Sequence, residues 1–354
     1  MKNITFFIGS YTEYPIPDFG GIGHGIYSVE MNTDTGELSV RHTIKTRNPS
    51  YLAISDDNRF LYAVSELDES NYPMVKSFAI NTDSSLSFLN EQLIPGGYPC
   101  HIISHEKNVI VACYVSGNII QYSTTVNGEL NYNMTEFKHQ GLSVNADRQE
   151  GPHAHQVVVH PNGKDVFVCD LGTDMIKAYQ LEENVLIPNP IKDCKLPEGS
   201  GPRHLVFNVK GDLAYVINEL TGTVSVLKFH EDWFKEVHSY TSLPKEYLGT
   251  PSSSAIRIHP NGKFLYVANR KVESITVFKI NDRKLKLVDI QYTKGEELRE
   301  FNITPEGNWL IACHQNSHDT VIYAIKKDGR LLEINRTKEI LSPSCITLKK
   351  MNKN

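Results

Sequence analysis

The chain has 354 residues and a formal net charge of −5, and 40% of its residues are hydrophobic, with 17 Tyr, 14 Phe and two Trp. This is ample material for a sizeable core, and the acidic balance argues against nucleic acid or an anionic membrane as the principal partner, since both select basic surfaces. A local basic site for a small anion is still allowed, because net charge does not say where the arginines lie.

From the N-terminus, MKNITFFIGSYTE has one early Lys and an apolar run of about three residues, too short for the core of a secretion signal. No later stretch approaches the roughly 18 apolar residues of a membrane span. A cytoplasmic protein is expected. TFFIGSY, HGIYSVEM and ELSVRHT read as three strands, the first two separated by the Gly- and Pro-rich segment 13–25, EYPIPDFGGIGHG. Its GGIGHG is not a phosphate cradle, because no helical pattern follows and no Lys stands where such a loop needs one.

From Tyr51 onward one phrase recurs: a short apolar strand, a polar turn, and a second apolar strand. It runs YLAISDDNRFLYAVSE from Tyr51, QVVVHPNGKDVFVCDL from Gln156, HLVFNVKGDLAYVINE from His204, AIRIHPNGKFLYVANR from Ala255 and EFNITPEGNWLIACHQ from Glu300. A worn copy, HIISHEKNVIVACYV, starts at His101, and a truncated one, CITLKK, at Cys345. The starts lie 50, 55, 48, 51, 45 and 45 residues apart. Self-similarity at this period, with β-branched and aromatic strands separated by turns such as HPNG, NVKG and TPEG, marks the four-stranded blades of a β-propeller. Third and fourth strands follow at ITVFKI and LKLVDIQYT, and again at TVSVLKF and EVHSYTSL. CITLKK can supply only an innermost strand, whereas the N-terminus offers three strands without one. The expected fold is therefore all-β: a single domain over 1–354, a seven-bladed propeller whose last blade is closed by strands from both termini. Such closure removes the free edges of an open sheet.

The cysteines are Cys100, Cys113, Cys169, Cys194, Cys313 and Cys345, with no CxxC pair. Three of them sit in apolar runs (VIVAC, VFVC, WLIAC) and read as small buried hydrophobes.

In a blade the first strand follows the central channel and the second returns, so the start of one and the end of the other share a face of the disc. The residues before each first strand are Ser50, Cys100, His155, Arg203, Ser254, Arg299 and Ser344; those ending each second strand are Glu66, Val115, Leu171, Glu219, Arg270 and Gln315, with Ser10 from the composite blade. The repeats agree at apolar positions and disagree here. A charge facing a channel mouth needs a partner or a ligand. Glu219 pairing with Arg203 or Arg270 merely to tie blades together is the structural alternative. Arginine grips carboxylate or phosphate with two parallel hydrogen bonds, and His and Glu carry protons near neutral pH. His153 and His155 form an HxH pair on one side of an extended segment, but no further ligand is signalled, so no metal and no cofactor are expected. His160 and His259 belong to HPNG turns on the opposite face, while His314 opens the CHQNSHD loop on the functional face.

GSYT near the start, GPHAHQ, GSGPRH, Asn218-Glu219-Leu220 and HPNGKFLYVANR together resemble the lactonase-type seven-bladed propellers, over essentially the whole chain. That family includes bacterial 6-phosphogluconolactonases and fungal carboxy-muconate cyclases. The resemblance implies that a His, two Arg and a Glu around the mouth are functional: His155 in GPHAHQ, Arg203 in GSGPRH, Glu219 in INEL and Arg270 in VANR, with Arg299 competing for the second arginine's role. Arg299, His153, His314 and Gln315 are expected to contact substrate. The long 13–25 segment departs from the family's compact first loop and is expected to cap this face.

Three functions fit these residues. The favoured one is hydrolysis of 6-phosphoglucono-δ-lactone, a step of the pentose phosphate pathway, with His155 or Glu219 activating water and arginines holding phosphate and oxyanion. The others are a muconate-type lactonising reaction, in which the arginines bind carboxylates, and a non-enzymatic propeller binding a ligand or protein. The expected partner is a small anionic sugar lactone, bound by a monomer or weak homo-oligomer.

Overall fold

The computed structural model describes residues 3–230 and 233–349. They form seven antiparallel sheets in a ring. The innermost strands are Leu52–Ile54, Pro99–His105, Ala154–Val159, Pro202–Phe207, Ser253–Ile258, Leu298–Ile303 and Pro343–Leu348. Pro343–Leu348 pairs with Asn3–Ser10, which continues into Ile26–Asn32 and Leu38–Ile44. The last blade is thus closed by both termini, as CITLKK implied.

The ring is held by apolar layers between blades. Each of seven clusters of buried side chains joins two neighbouring sheets. One joins Tyr62 and Val64 to Val111 and Tyr122, and another joins Phe6 and Ile8 to Ile311 and Ile322. Second strands such as Phe264–Asn269 are buried along their whole length. Alternate residues therefore face opposite neighbours, and burial of each large side chain contributes roughly 1.5–3 kcal/mol. All six cysteines are free and buried.

One blade departs from the four-strand rule. In the blade opening at Ala154, both Val185–Pro188 and Cys194–Lys195 pair with Met175–Glu182, with a 3₁₀ turn at Pro190–Lys192 between them. Pro188 and Pro190 lack the N–H that a continuous outer strand would need.

The second departure concerns the mouth. Six of the seven first strands start two residues earlier than the repeat phrase indicates, so their mouth residues lie inside the strands rather than before them, whereas Ser50 still precedes Leu52–Ile54. The register shows why. Pro202 faces Asn218 and His204 faces Ile217, leaving Arg203 unpaired in a bulge. The same irregularity leaves out Cys100, His155, Arg299 and Ser344. A bulge breaks the two-residue alternation and re-aims a side chain, so the chain reaches the channel mouth with residues that simple alternation would have assigned elsewhere.

On the opposite face the repeat persists. His160 accepts the Asn162 N–H at Nδ1, so Nε2 carries the proton and donates to the Gly211 carbonyl of the next blade at 2.9 Å. His259 repeats this with Asn261 and with Gly307 at 2.8 Å. These histidines are turn residues that bind blade to blade.

Candidate active site

At the mouth lies a cavity of about 570 Å³ whose wall includes His155, Arg203, Glu219, Arg270 and Arg299, together with Glu66, Cys100, Tyr114, Arg148, Lys271 and Glu297. The volume suits a small ligand. Ile16 and Phe19 also contribute, so the 13–25 segment forms part of the wall. There the Phe19 ring packs edge-on to Tyr11 and over the Arg299 guanidinium.

Glu219 is the electrostatic centre. Its Oε2 lies 3.0 Å from Arg203 Nε and 3.1 Å from Arg270 Nη2, while Oε1 accepts from Arg148 Nη2 at 2.7 Å. Burial works to raise its pKa, but Arg270, Arg203 and Arg148 outweigh burial and hold the carboxyl far below its ordinary range. Glu219 is consequently a carboxylate that organises three guanidiniums, and a reluctant proton acceptor. Burial, reinforced by Arg270, pulls Arg203 down to about 10, and Glu219 limits the fall. Arg203 Nη1 also donates to the Ser254 carbonyl of the next blade at 2.5 Å. Arg270 reaches Glu297 through Nη1 at 2.8 Å.

His155 faces the same cavity. Burial, then the Arg203 charge, pushes its pKa well below the usual 6.5, against a weaker pull from Glu219. The imidazole is therefore neutral at physiological pH, and its Nδ1 is buried without a hydrogen-bond partner. An unsatisfied buried polar atom in a ligand-sized cavity points to a ligand or a water. Cys100 also borders the site, but burial drives its thiol pKa far up, so it is no nucleophile.

Beside this cluster, Tyr11 donates to Glu66 Oε2 at 2.6 Å and accepts from Arg299 Nη2 at 2.6 Å. Arg299 thus belongs to a separate group from the Glu219 clamp, which has Arg270 as its second arginine.

The family model described as Lactonase, 7-bladed beta-propeller matches residues 5–348. The chain belongs to this family. The 6-phosphogluconolactonase of Bacillus subtilis is 32% identical over 355 residues, covering 98% of each chain. An uncharacterised protein of Staphylococcus saprophyticus is 31% identical over 92% of each. A Bacteroides fragilis crystal structure, provisionally assigned as a 6-phosphogluconolactonase, superposes with a TM-score of 0.90 at 30% identity, over 98% of each chain.

In this lactonase-family propeller the structure brings together five of the residues named from sequence and sets three apart. His153 Nδ1 bonds the Tyr114 carbonyl, and its ring stacks on Tyr114 at 4.4 Å, so it positions Tyr114 rather than lining the cavity. His314 is fully buried with Nε2 on Thr293 Oγ1 at 2.9 Å, and Gly295 packs on its ring. Gln315 donates to the Gly20 carbonyl at 2.9 Å and pins the 13–25 segment. These three are corrected from substrate contacts to supports. Of the three only Gln315 is a position of the aligned rings, and all three side chains turn to partners within the protein.

Arg148 and Tyr114 were missed. Arg148 lies in the 139–153 loop, outside the repeat, and its trace in the sequence is the 55-residue interval between starts 101 and 156, the longest in the chain. Among the described residues no group of three or more His, Cys, Asp and Glu is arranged to hold a metal ion, and no helix is long and apolar enough to cross a membrane.

Proposed function

We propose that this protein is a 6-phosphogluconolactonase, hydrolysing 6-phosphoglucono-δ-lactone to 6-phosphogluconate. The carrying observation is a neutral imidazole with a free buried nitrogen beside two guanidiniums clamped by one carboxylate. In this reading a water bound near His155 Nδ1 attacks the lactone carbonyl and gives its proton to that nitrogen. The carbonyl electron pair moves onto oxygen, where Arg203 and Arg270 stabilise the developing charge. The tetrahedral adduct then collapses, the carbonyl re-forms, and the ring C–O bond breaks. The departing ring oxygen takes the proton back from His155, leaving hydroxyl and carboxylic acid. A depressed pKa keeps His155 unprotonated before attack and makes its protonated form a strong acid afterwards. Glu219 holds the arginines in place and takes no proton. The 32% identical Bacillus relative supports the substrate assignment. A cytoplasmic location agrees with six free cysteines.

The direct test is acid release from freshly prepared 6-phosphogluconolactone, compared with spontaneous decay. Acceleration is expected, and His155→Gln should lower kcat by roughly 10²–10⁴-fold with folding intact. No acceleration by the wild-type protein would end the reading. Full kcat in the variant would end the role of His155.

A further inference from the structure

The charges of the cavity divide by depth. Its wall carries four arginines and one lysine against three glutamates. Three arginines are buried and matched: Arg203 and Arg270 on Glu219, Arg270 also on Glu297, and Arg299 beside Glu66. The wall keeps a formal surplus of two positive charges, and the two cations that stand at the rim are Arg148, which shares Glu219 with the buried arginines, and Lys271. The Arg148 side chain is 42% exposed, against 3% for Arg203 and 10% for Arg270. Lys271 is exposed, held at a backbone φ of 65° with its N–H on Glu273 Oε1.

Arg148 is also presented rigidly. Its backbone N–H bonds Asn145 Oδ1 at 3.1 Å, and the adjoining Gln149, fully buried, donates to Asp174 Oδ1 and the Leu171 carbonyl at 2.8 Å each. Nε and Nη2 reach Tyr114 Oη, and Nη2 reaches Glu219, leaving Nη1 uncommitted among the described residues. An ion pair between a 42% exposed guanidinium and a buried carboxylate is a weak source of net stability, so the loop that positions Arg148 calls for another explanation.

We infer that Arg148 and Lys271 form an anion subsite at the rim that binds the phosphate monoester of the substrate and sets the preference for phosphorylated over unphosphorylated lactones. A phosphate carries about −1.5 to −2 charge at neutral pH, which the surplus of the wall matches. The phosphate then holds the sugar at the mouth with its lactone carbonyl directed down towards His155, Arg203 and Arg270. This assignment rests on the proposed lactonase activity.

The readout is the ratio of kcat/KM for 6-phosphogluconolactone to that for glucono-δ-lactone. In Arg148→Ala and in Lys271→Ala this ratio should fall roughly 10- to 100-fold, the size expected for a lost charge-assisted hydrogen bond to phosphate, and Arg148→Lys should restore part of it. If Arg148 acts only by orienting Glu219, both substrates lose together and the ratio stays, which overturns the subsite. Calorimetric binding of inorganic phosphate separates this failure from failure of the lactonase reading. Wild-type protein that hydrolyses neither lactone, yet binds phosphate at least tenfold more tightly than both Ala variants, retains the subsite and loses the activity. Equal phosphate binding by all three proteins overturns the subsite.

Discussion

The two faces of the ring treat the same repeat in opposite ways. At the turn face, His105, His160 and His259 each bond Nε2 to a glycine carbonyl of the following blade, at 2.9, 2.9 and 2.8 Å. Those glycines, Gly163, Gly211 and Gly307, share φ values of 74°, 76° and 77°. At the mouth, the equivalent bulged positions hold Cys100, His155, Arg203, Arg299 and Ser344, with nothing in common but backbone geometry. Blades that pack alike can share a joint, and three junctions repeat the histidine-to-glycine one. A ligand is asymmetric, so its site needs a different group from each blade. The mouth accordingly concentrates buried ion pairs, which are weak sources of stability but costly to break on one side.

The largest expected effect follows from that asymmetry. Glu219→Ala strands the Arg203 guanidinium and leaves Arg270 with Glu297 alone, and should lower unfolding free energy by about 3–5 kcal/mol in denaturant titration. Unchanged stability would mean that solvent already compensates the charges, and the contrast between faces would be purely chemical.

Acid should destabilise the channel. Burial, aided by Arg203 at His155 and His204 and by Arg257 ahead of Arg203 at His101, depresses the pKa values of these three histidines well below 6.5. Their rings form a column down the channel, with His155 to His204 at 5.4 Å and His204 to His101 at 5.7 Å. A depressed imidazole takes up its proton more readily in the unfolded chain. Stability is therefore complete above pH 6.5 and erodes as the pH falls below it, until the folded pKa is reached. Each group removes about 1.4 kcal/mol per pH unit in that window, or roughly 4 kcal/mol for three at one unit below. Glu219, whose folded pKa lies below 4.5, adds a second loss once the pH falls under that value. Thermal melts from pH 8 to 5 should show the first onset near 6.5, and His204→Gln should weaken it. A flat melting temperature down to pH 5 would contradict neutral burial of the column.

The smallest effects belong to the turn face. Gly163→Ala meets nothing within 4 Å and suffers only left-handed strain, roughly 1–2 kcal/mol. Gly211→Ala brings its new methyl to within 2.4 Å of His160 Nε2 and should cost more, since the tie to the next blade must also shift. Neither change should alter kcat/KM. Activity lost in either variant would show that the two faces are coupled through the blades.

Which parts of this were readable in the chain follows from the range of the interactions involved. Strand, turn and blade period are short-range consequences of apolar alternation and of Gly or Pro in turns, and HPNG, VANR and the truncated CITLKK carried them to the correct seven-bladed closure. The broken outer strand at Pro188 and Pro190 was equally local, though the repeat phrase obscured it. Alignment of the repeats also gathered His155, Arg203, Glu219, Arg270 and Arg299 at one mouth, because equivalent positions in a ring are necessarily neighbours. What each side chain does there is decided in three dimensions. A bulge changes which way a residue points without changing its identity, so Arg203 meets Glu219, while His314 and Gln315, at the end of a second strand, are turned into the protein by their bonds to Thr293 and Gly20. The protonation of His155, the division of the arginines between Glu219 and Glu66, and the arrival of Arg148 from a loop 71 residues before Glu219 all arise from burial and charge brought together only when the ring closes.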